Sequence, residues 1–192
     1  SDEPFTQTEF VELLRAFSQK YPEIDGEPSI PFTTCLDIAC QPAIQGMYGI
    51  KKYYEQDGQL SHPARDPNYL QMIAFENSLY REGLLDKEWV VNRRSLYQDK
   101  LTSGRVFATA CAYWDIASEN AALRARYGDE AFFACYKVLG EGVDASQTSY
   151  GGRNSIGWDA IAVTDHCADM EAALKVINFL ASEEGQYLML CG

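Results

Sequence analysis

Short, strongly apolar runs alternate in this chain with stretches of helical periodicity, and that alternation restricts the fold more than any other feature. Val106–Ala112, Ala131–Leu139 and Ile156–Thr164 are short enough, and apolar or alternating enough, to be strands. Ser29–Thr34 reads as another, with Pro31 pushing it toward a sheet edge. Between them lie helical patterns. Thr6-Gln-Thr-Glu9 forms a capping box, followed by Phe10, Leu13, Leu14 and Phe17 on one face and stopped at Tyr21-Pro22. Strands alternating with helices predict the α/β class.

The remaining punctuation obeys the same logic. Residues 42–50 read as a short helix with loops. Lys51–Leu60 reads as a hairpin turning at Asp57-Gly58. Asp66-Pro67 predicts an N-cap and first helical residue. The helix after it carries Tyr69, Met72, Ile73, Leu79 and Tyr80, interrupted by Glu76 and stopped by Gly83. Glu76 is expected to be partly exposed on that tyrosine-rich face, with a site carboxylate as the alternative. Asn92–Ser103 is a further helix closed by Gly104. Asp115 is placed to cap the helix carrying Ile116, Leu123 and Tyr127. Asp169 caps a stripe of Met170, Ala173, Leu174, Ile177, Leu180 and Ala181.

Composition narrows the function. With 192 residues the length suits one domain, and a net charge of −12 opposes binding to a phosphate backbone, so no nucleic-acid partner is expected. No apolar run approaches the roughly 18 residues of a membrane span. No CxxC and no finger-spaced histidine is present, so no metal is expected. Cys111 and Cys135 lie in apolar runs and are expected in the core, while Cys35 and Cys40 could bridge only if their segment turns. Nucleotide-binding, nucleophile-elbow and metalloprotease motifs are absent, and His62 and His166 are isolated. Glu183-Glu184 reads as a solvated face. No cofactor and no enzymatic activity are expected.

The informative chemistry is aromatic. Tyr113-Trp114-Asp115 falls where a strand meets a helix N-terminus, the usual ligand position in α/β sheets. Aromatic faces stack on the C–H faces of sugars, while Asp, Asn and Arg bond the hydroxyls. Trp158 comes after the polar run Gly151-Gly152-Arg153-Asn154-Ser155, a composition that suits a binding loop. For Tyr113, Trp114 and Trp158 the alternative is core or boundary packing. Trp89 reads as a packing residue.

Several segments taken in order resemble one family. They are Ser29-Ile-Pro-Phe32, Leu79–Asp86, Leu101–Val106, Trp158–Val163 and Ala172–Gly185. They resemble the extracellular solute-binding proteins, family 1, of ABC importers, especially the lipoproteins of Gram-positive bacteria. The resemblance runs from about Thr6 to Gly192. It implies one lobe of a periplasmic-binding-protein type II-like fold over residues 1–192, cut from a two-lobed protein whose first lobe and lipid anchor lie elsewhere. The abrupt apolar ending at Gly192 is expected for such a fragment. The implied role is recognition of a solute, a carbohydrate by expectation, in an interlobe cleft and its delivery to a membrane permease. The cleft stretches of that family match Tyr113, Trp114, Asp115, Arg153 and Asn154 here, with Trp158 and Gln45 as further candidates. Two alternatives stand beside it: an α/β hydrolase acting on glycans, needing a carboxylate pair in a pocket, and a protein-interaction module.

Overall fold

A computed structural model describes residues 3–37, 40–51, 53–146, 148 and 161–192. The chain divides into two compact units, Ser1–Gly152 and Arg153–Gly192.

The first unit opens with β1 (Phe5–Thr6) and α1 (Gln7–Lys20). The capping box forms as expected: Glu9 N–H donates to Thr6 Oγ1 at 3.2 Å, and Thr6 N–H donates to Glu9 Oε2 at 2.8 Å. A small antiparallel pair comes next, β2 (Glu23–Ile24) with β3 (Glu27–Pro28). Then come β4 (Ile30–Thr33), α2 (Cys40–Met47) and the hairpin of β5 (Tyr54–Gln56) and β6 (Gln59–Ser61). Asp57 and Gly58 both take positive φ (53° and 74°), the requirement of a two-residue hairpin turn. After them lie α3 (Tyr69–Glu82), α4 (Arg94–Thr102), β7 (Val106–Thr109), α5 (Ala117–Tyr127) and β8 (Val138–Leu139).

Two parallel strand pairs carry the α/β character. β4 pairs with β7 through Ile30↔Val106, Phe32↔Ala108 and Thr33↔Thr109. β1 pairs with β8 through Phe5↔Val138 and Thr6↔Leu139. Helix α1 covers β4 and β7 through an edge-on Phe10–Phe32 contact (5.5 Å) and a stacked Phe17–Phe107 contact (4.7 Å). Its other turns and α3 enclose a core of Leu14, Phe32, Ile44, Met72, Phe75 and Leu79. A second core joins Cys35, Cys40, Tyr97, Leu101, Val106 and Ile116. The mixed α/β class is as the sequence predicts.

Several local expectations change. β4 is not a free edge: β7 flanks one side and a single parallel bridge from Phe32 to Leu85 the other. That bridge is one residue beyond Pro31, so the missing N–H interrupts no continuous ladder there. The helix expected after Asp66-Pro67 starts at Tyr69, because Pro63–Arg65 forms a 3-10 turn and Asp66 spends its Oδ1 on the Asn68 N–H at 2.8 Å. Helix α4 begins at Arg94, since Asn92 is drawn into the interior. Asp115 does not cap α5: Tyr113–Ile116 is a 3-10 turn, and α5 starts after it without a side-chain cap. Of Ala131–Leu139 only the last two residues pair as a strand. Cys135 is exposed and not a core residue, and Cys35 and Cys40 are free thiols, both buried. Glu76 is buried at 6% exposure and accepts from Gln41 Nε2 at 2.8 Å, so it is not a surface residue.

In the second unit, Ile161–Thr164 forms no strand, and the rest of the strand expected over 156–164 lies outside the described residues. Helix α6 (Met170–Ala181) is capped by Asp169, whose Oδ1 accepts the Ala172 N–H at 2.9 Å, as expected. No residue of its apolar stripe is fully buried: Met170 and Leu174 are exposed, and Ala173, Ile177 and Leu180 are half-buried. Helix α7 (Glu183–Cys191) begins on Ser182, which accepts the Gly185 N–H at 3.1 Å. Gly185 lies so close to the end of α6 that a Cβ there would overlap the Phe179 carbonyl.

Candidate functional site

The carboxyl ends of β4 and β7 lie side by side, and the segments leaving these two strands form the surface there. β4 runs on through Thr34 and Cys35 to an exposed turn at Leu36-Asp37. β7 runs on to the 3-10 turn Tyr113–Ile116. The two ends are joined by the start of α4. Asp37 Oδ2 accepts the Arg94 N–H at 3.1 Å and its Oδ1 accepts from Arg93 Nη1 at 3.2 Å. Arg94 Nη2 in turn lies 3.9 Å from Asp115 Oδ1.

A buried polar cluster fixes that start of α4. Lys100 Nζ donates to Asp86 Oδ2 (2.8 Å), Asn92 Oδ1 (2.8 Å) and Glu88 Oε2 (3.0 Å). Asn92 Nδ2 donates to Thr33 Oγ1 (3.2 Å), the Thr34 carbonyl (3.0 Å) and Asp86 Oδ2 (3.0 Å). Burial pushes the Asp86 carboxyl up, but donation from Lys100, the Glu88 N–H, Asn92 and Thr33 outweighs it and holds the group below its ordinary value. Asn92, immediately before Arg93, therefore ties the start of α4 to the end of β4. The positions of Arg93 and Arg94 are set by this anchor.

Beside these charges stand two uncovered rings. Tyr113 is 68% and Trp114 66% exposed, and they meet edge to face at 5.0 Å between centroids. Side chains this apolar gain by being covered, so an exposed adjacent pair is a surface suited to stacking on a partner. Asp115 is turned inward, its side chain 13% exposed. The result is an aromatic pair backed by Asp115, Arg94, Asp37 and Arg93, a combination able to stack on a C–H face and bond hydroxyls.

Tyr113, Trp114 and Asp115 are thus brought together as a consecutive trio. Gln45 is not joined to them: it is half-buried in α2, and its carbonyl accepts the N–H groups of Tyr48 and Ile50. Arg153, Asn154 and Trp158 lie outside the described residues. Sequence reasoning does not single out Asp37, Arg93 or Arg94. The only local signal is the Arg93-Arg94 pair after Asn92, which resembles any solvated helix start until Asp37 is brought beside it.

A cavity of about 460 Å³ adjoins the trio at Tyr113 and is lined chiefly by apolar groups, among them Phe5, Phe10, Phe107, Cys111 and Phe133. Burial pushes the Cys111 thiol up to about 11, so it is a neutral thiol at physiological pH. Among the described residues no group of three or more His, Cys, Asp or Glu side chains could hold a metal ion, and no helix is long and apolar enough to cross a membrane.

No protein-family model and no curated protein matches the chain. Solved structures do. The fold is similar to that of an extracellular solute-binding protein from Bifidobacterium longum subsp. infantis, with a TM-score of 0.67 at 20% identity over 99% of this chain. It is also similar to an HMO-binding, ABC-transporter-associated solute-binding protein from Bifidobacterium longum infantis, with a TM-score of 0.64 at 19% identity over 96% of this chain. The chain spans 41% and 40% of those two chains. The α/β architecture described above is therefore one found within solute-binding proteins, in a stretch less than half their length.

Proposed function

We propose that this chain is a recognition part of an extracellular solute-binding protein of an ABC importer, and that its solute is a carbohydrate. The fold likeness supports a solute-binding role, and one of the similar structures is of an HMO-binding protein. The observation that carries the carbohydrate reading is the exposed Tyr113–Trp114 pair backed by Arg94, Asp37 and Asp115 at the ends of two parallel strands. Such a surface covers one side of a sugar. The opposite side belongs to a second lobe of a longer, two-lobed protein, anchored at the cell surface as a lipoprotein.

The mechanism is closure. A solute touching both lobes favours the closed state by its differential affinity, and the closed form docks on the permease. Catalysis has no part in this reading. Arg153, Asn154 and Trp158 are proposed as further solute contacts from the matching loop, and Gln45 as a weaker one.

The test is tryptophan fluorescence of the full-length protein titrated with neutral oligosaccharides such as maltotriose and lacto-N-tetraose. A saturable change that disappears in Trp114→Phe, while calorimetric binding persists, places Trp114 at the solute. Absence of binding across neutral sugars, with binding of peptides instead, would overturn the carbohydrate assignment. This chain alone offers only part of the contacts, and no measurable affinity is expected from it.

A further inference from the structure

The turn that leaves β4 toward the solute surface is bounded by two cysteines. Cys35 precedes Leu36-Asp37, and Cys40 opens α2. Both are fully buried. The sequence allows them to bridge only if the segment between them turns, and the structure brings its two ends together: the Cys35 N–H donates to Cys40 Sγ at 3.2 Å. The Cys35 Cα, one bond from that nitrogen, is therefore no more than about 4.7 Å from the Cys40 sulfur, inside the span of a disulfide. The Cys35 sulfur itself donates to the Asn92 carbonyl at 3.2 Å. Rotation about the Cys35 Cα–Cβ bond exchanges this weak S–H contact for Cys40 Sγ.

We infer that Cys35 and Cys40 are joined by a disulfide in the full-length protein. The inference rests on the protein being extracellular, because thiols stay reduced in the cytosol and pair outside the cell. It does not rest on the solute being a sugar. The bond forms by exchange with a small-molecule disulfide of the oxidised-glutathione class. Cys35 Sγ and Cys40 Sγ each give up a proton and together two electrons, the S–S bond between them forms, and the reagent leaves as two thiols. The step belongs to folding. Once α2 is packed, burial pushes the Cys40 thiol up to about 12, which leaves it neutral and poorly nucleophilic. The same burial then shelters the bond from reductants. Its use lies in Asp37, which falls between the two cysteines. Asp37 accepts the Arg94 N–H at 3.1 Å, and Arg94 lies beside Asp115 next to the aromatic pair. Asn92 holds this corner from the α4 side, and the disulfide holds it from the α2 side.

Peptide mapping of the full-length protein tests it. The protein is unfolded and reduced, then refolded either in a mixture of oxidised and reduced glutathione or with a phosphine reductant throughout, and free thiols are alkylated in denaturant. The tryptic peptide released by cleavage after Lys20 and Lys51 contains Cys35 and Cys40 and no other cysteine. From the oxidised form it should carry no alkyl group and weigh two hydrogens less than its dithiol. The oxidised form should melt at least about 2 °C above the reduced one, and its Arg94 amide should exchange about tenfold more slowly with deuterium. In Cys35→Ala/Cys40→Ala the two preparations should melt together, which assigns the difference to this pair and not to the remaining cysteines. Two alkyl groups on that peptide after oxidative refolding would overturn the disulfide, as would a bridge from Cys40 to Cys111. An Arg94 amide equally fast in both forms would overturn the bond's hold on Asp37. No sugar enters these measurements, so their failure and that of the carbohydrate assignment are told apart.

Discussion

Lys100 Nζ stands 2.8 Å from Asp86 Oδ2, and both side chains are only 8% exposed. A charge pair this buried is costly to break from one side, because the remaining ion is left unsatisfied. Lys100→Met strands Asp86 beside Asn92 and Thr33. It should destabilise the chain by about 3–5 kcal/mol, read by urea unfolding followed by circular dichroism. A loss below about 1 kcal/mol would show that the pair is not structural.

Acid should act on the same cluster. The Asp86 carboxyl has a folded value below its unfolded one, so its contribution is present above about pH 4 and is lost as pH falls through the folded value. Asp86→Asn should therefore lower the melting temperature at pH 7, and its deficit against the parent should narrow below pH 4. A deficit constant from pH 7 to pH 3 would mean the ionised carboxylate is not what stabilises the fold.

Glu76 predicts the opposite sign. Burial pushes its carboxyl up, against donation from Gln41, so ionisation opposes the folded state. Stability from this group is full below the unfolded value and is lost as pH rises through the folded one. Glu76→Gln keeps the acceptor for Gln41 and removes the charge. It should raise stability at pH 7 by about 1 kcal/mol, or about 2–4 °C for a chain of this size, and change little at pH 4. Differential scanning calorimetry at the two pH values reads both, and a destabilised variant at pH 7 would contradict the assignment.

The aromatic pair should be dispensable for folding. Tyr113 and Trp114 are two-thirds exposed, so Tyr113→Ala and Trp114→Ala should each shift stability by no more than about 0.5 kcal/mol. A larger loss in chemical denaturation would make them packing residues, the alternative left open by the sequence.

Local signals carry much of this structure. The Thr6–Glu9 capping box, the Asp57-Gly58 turn and the Asp169 cap are written within four residues and form as expected. Burial that depends on distant partners is not legible in the same way. Glu76 looks like a surface residue until Gln41 is brought to it, and Asn92 looks like a helix start until Thr33, Asp86 and Lys100 surround it. The site divides along the same line. Tyr113-Trp114-Asp115 can be picked out because the three are consecutive at a strand end. Asp37 and Arg94, 57 positions apart, meet only through the anchor that Asn92 provides. Ala131–Leu139 pairs over less of its length than its composition suggests, because strand propensity says nothing of whether a neighbour is there to pair.

Carbohydrate recognition stands or falls on whether the Tyr113–Trp114 surface holds the sugar. Isothermal titration of the full-length protein with lacto-N-tetraose, and with whichever neutral oligosaccharide binds best in the fluorescence titrations, decides this by comparing the parent with the Tyr113→Ala/Trp114→Ala double variant. The parent should bind saturably and the variant should lose about tenfold or more in affinity, with unchanged melting temperature in the absence of sugar. Equal affinity in the two proteins would contradict a sugar seated on these rings.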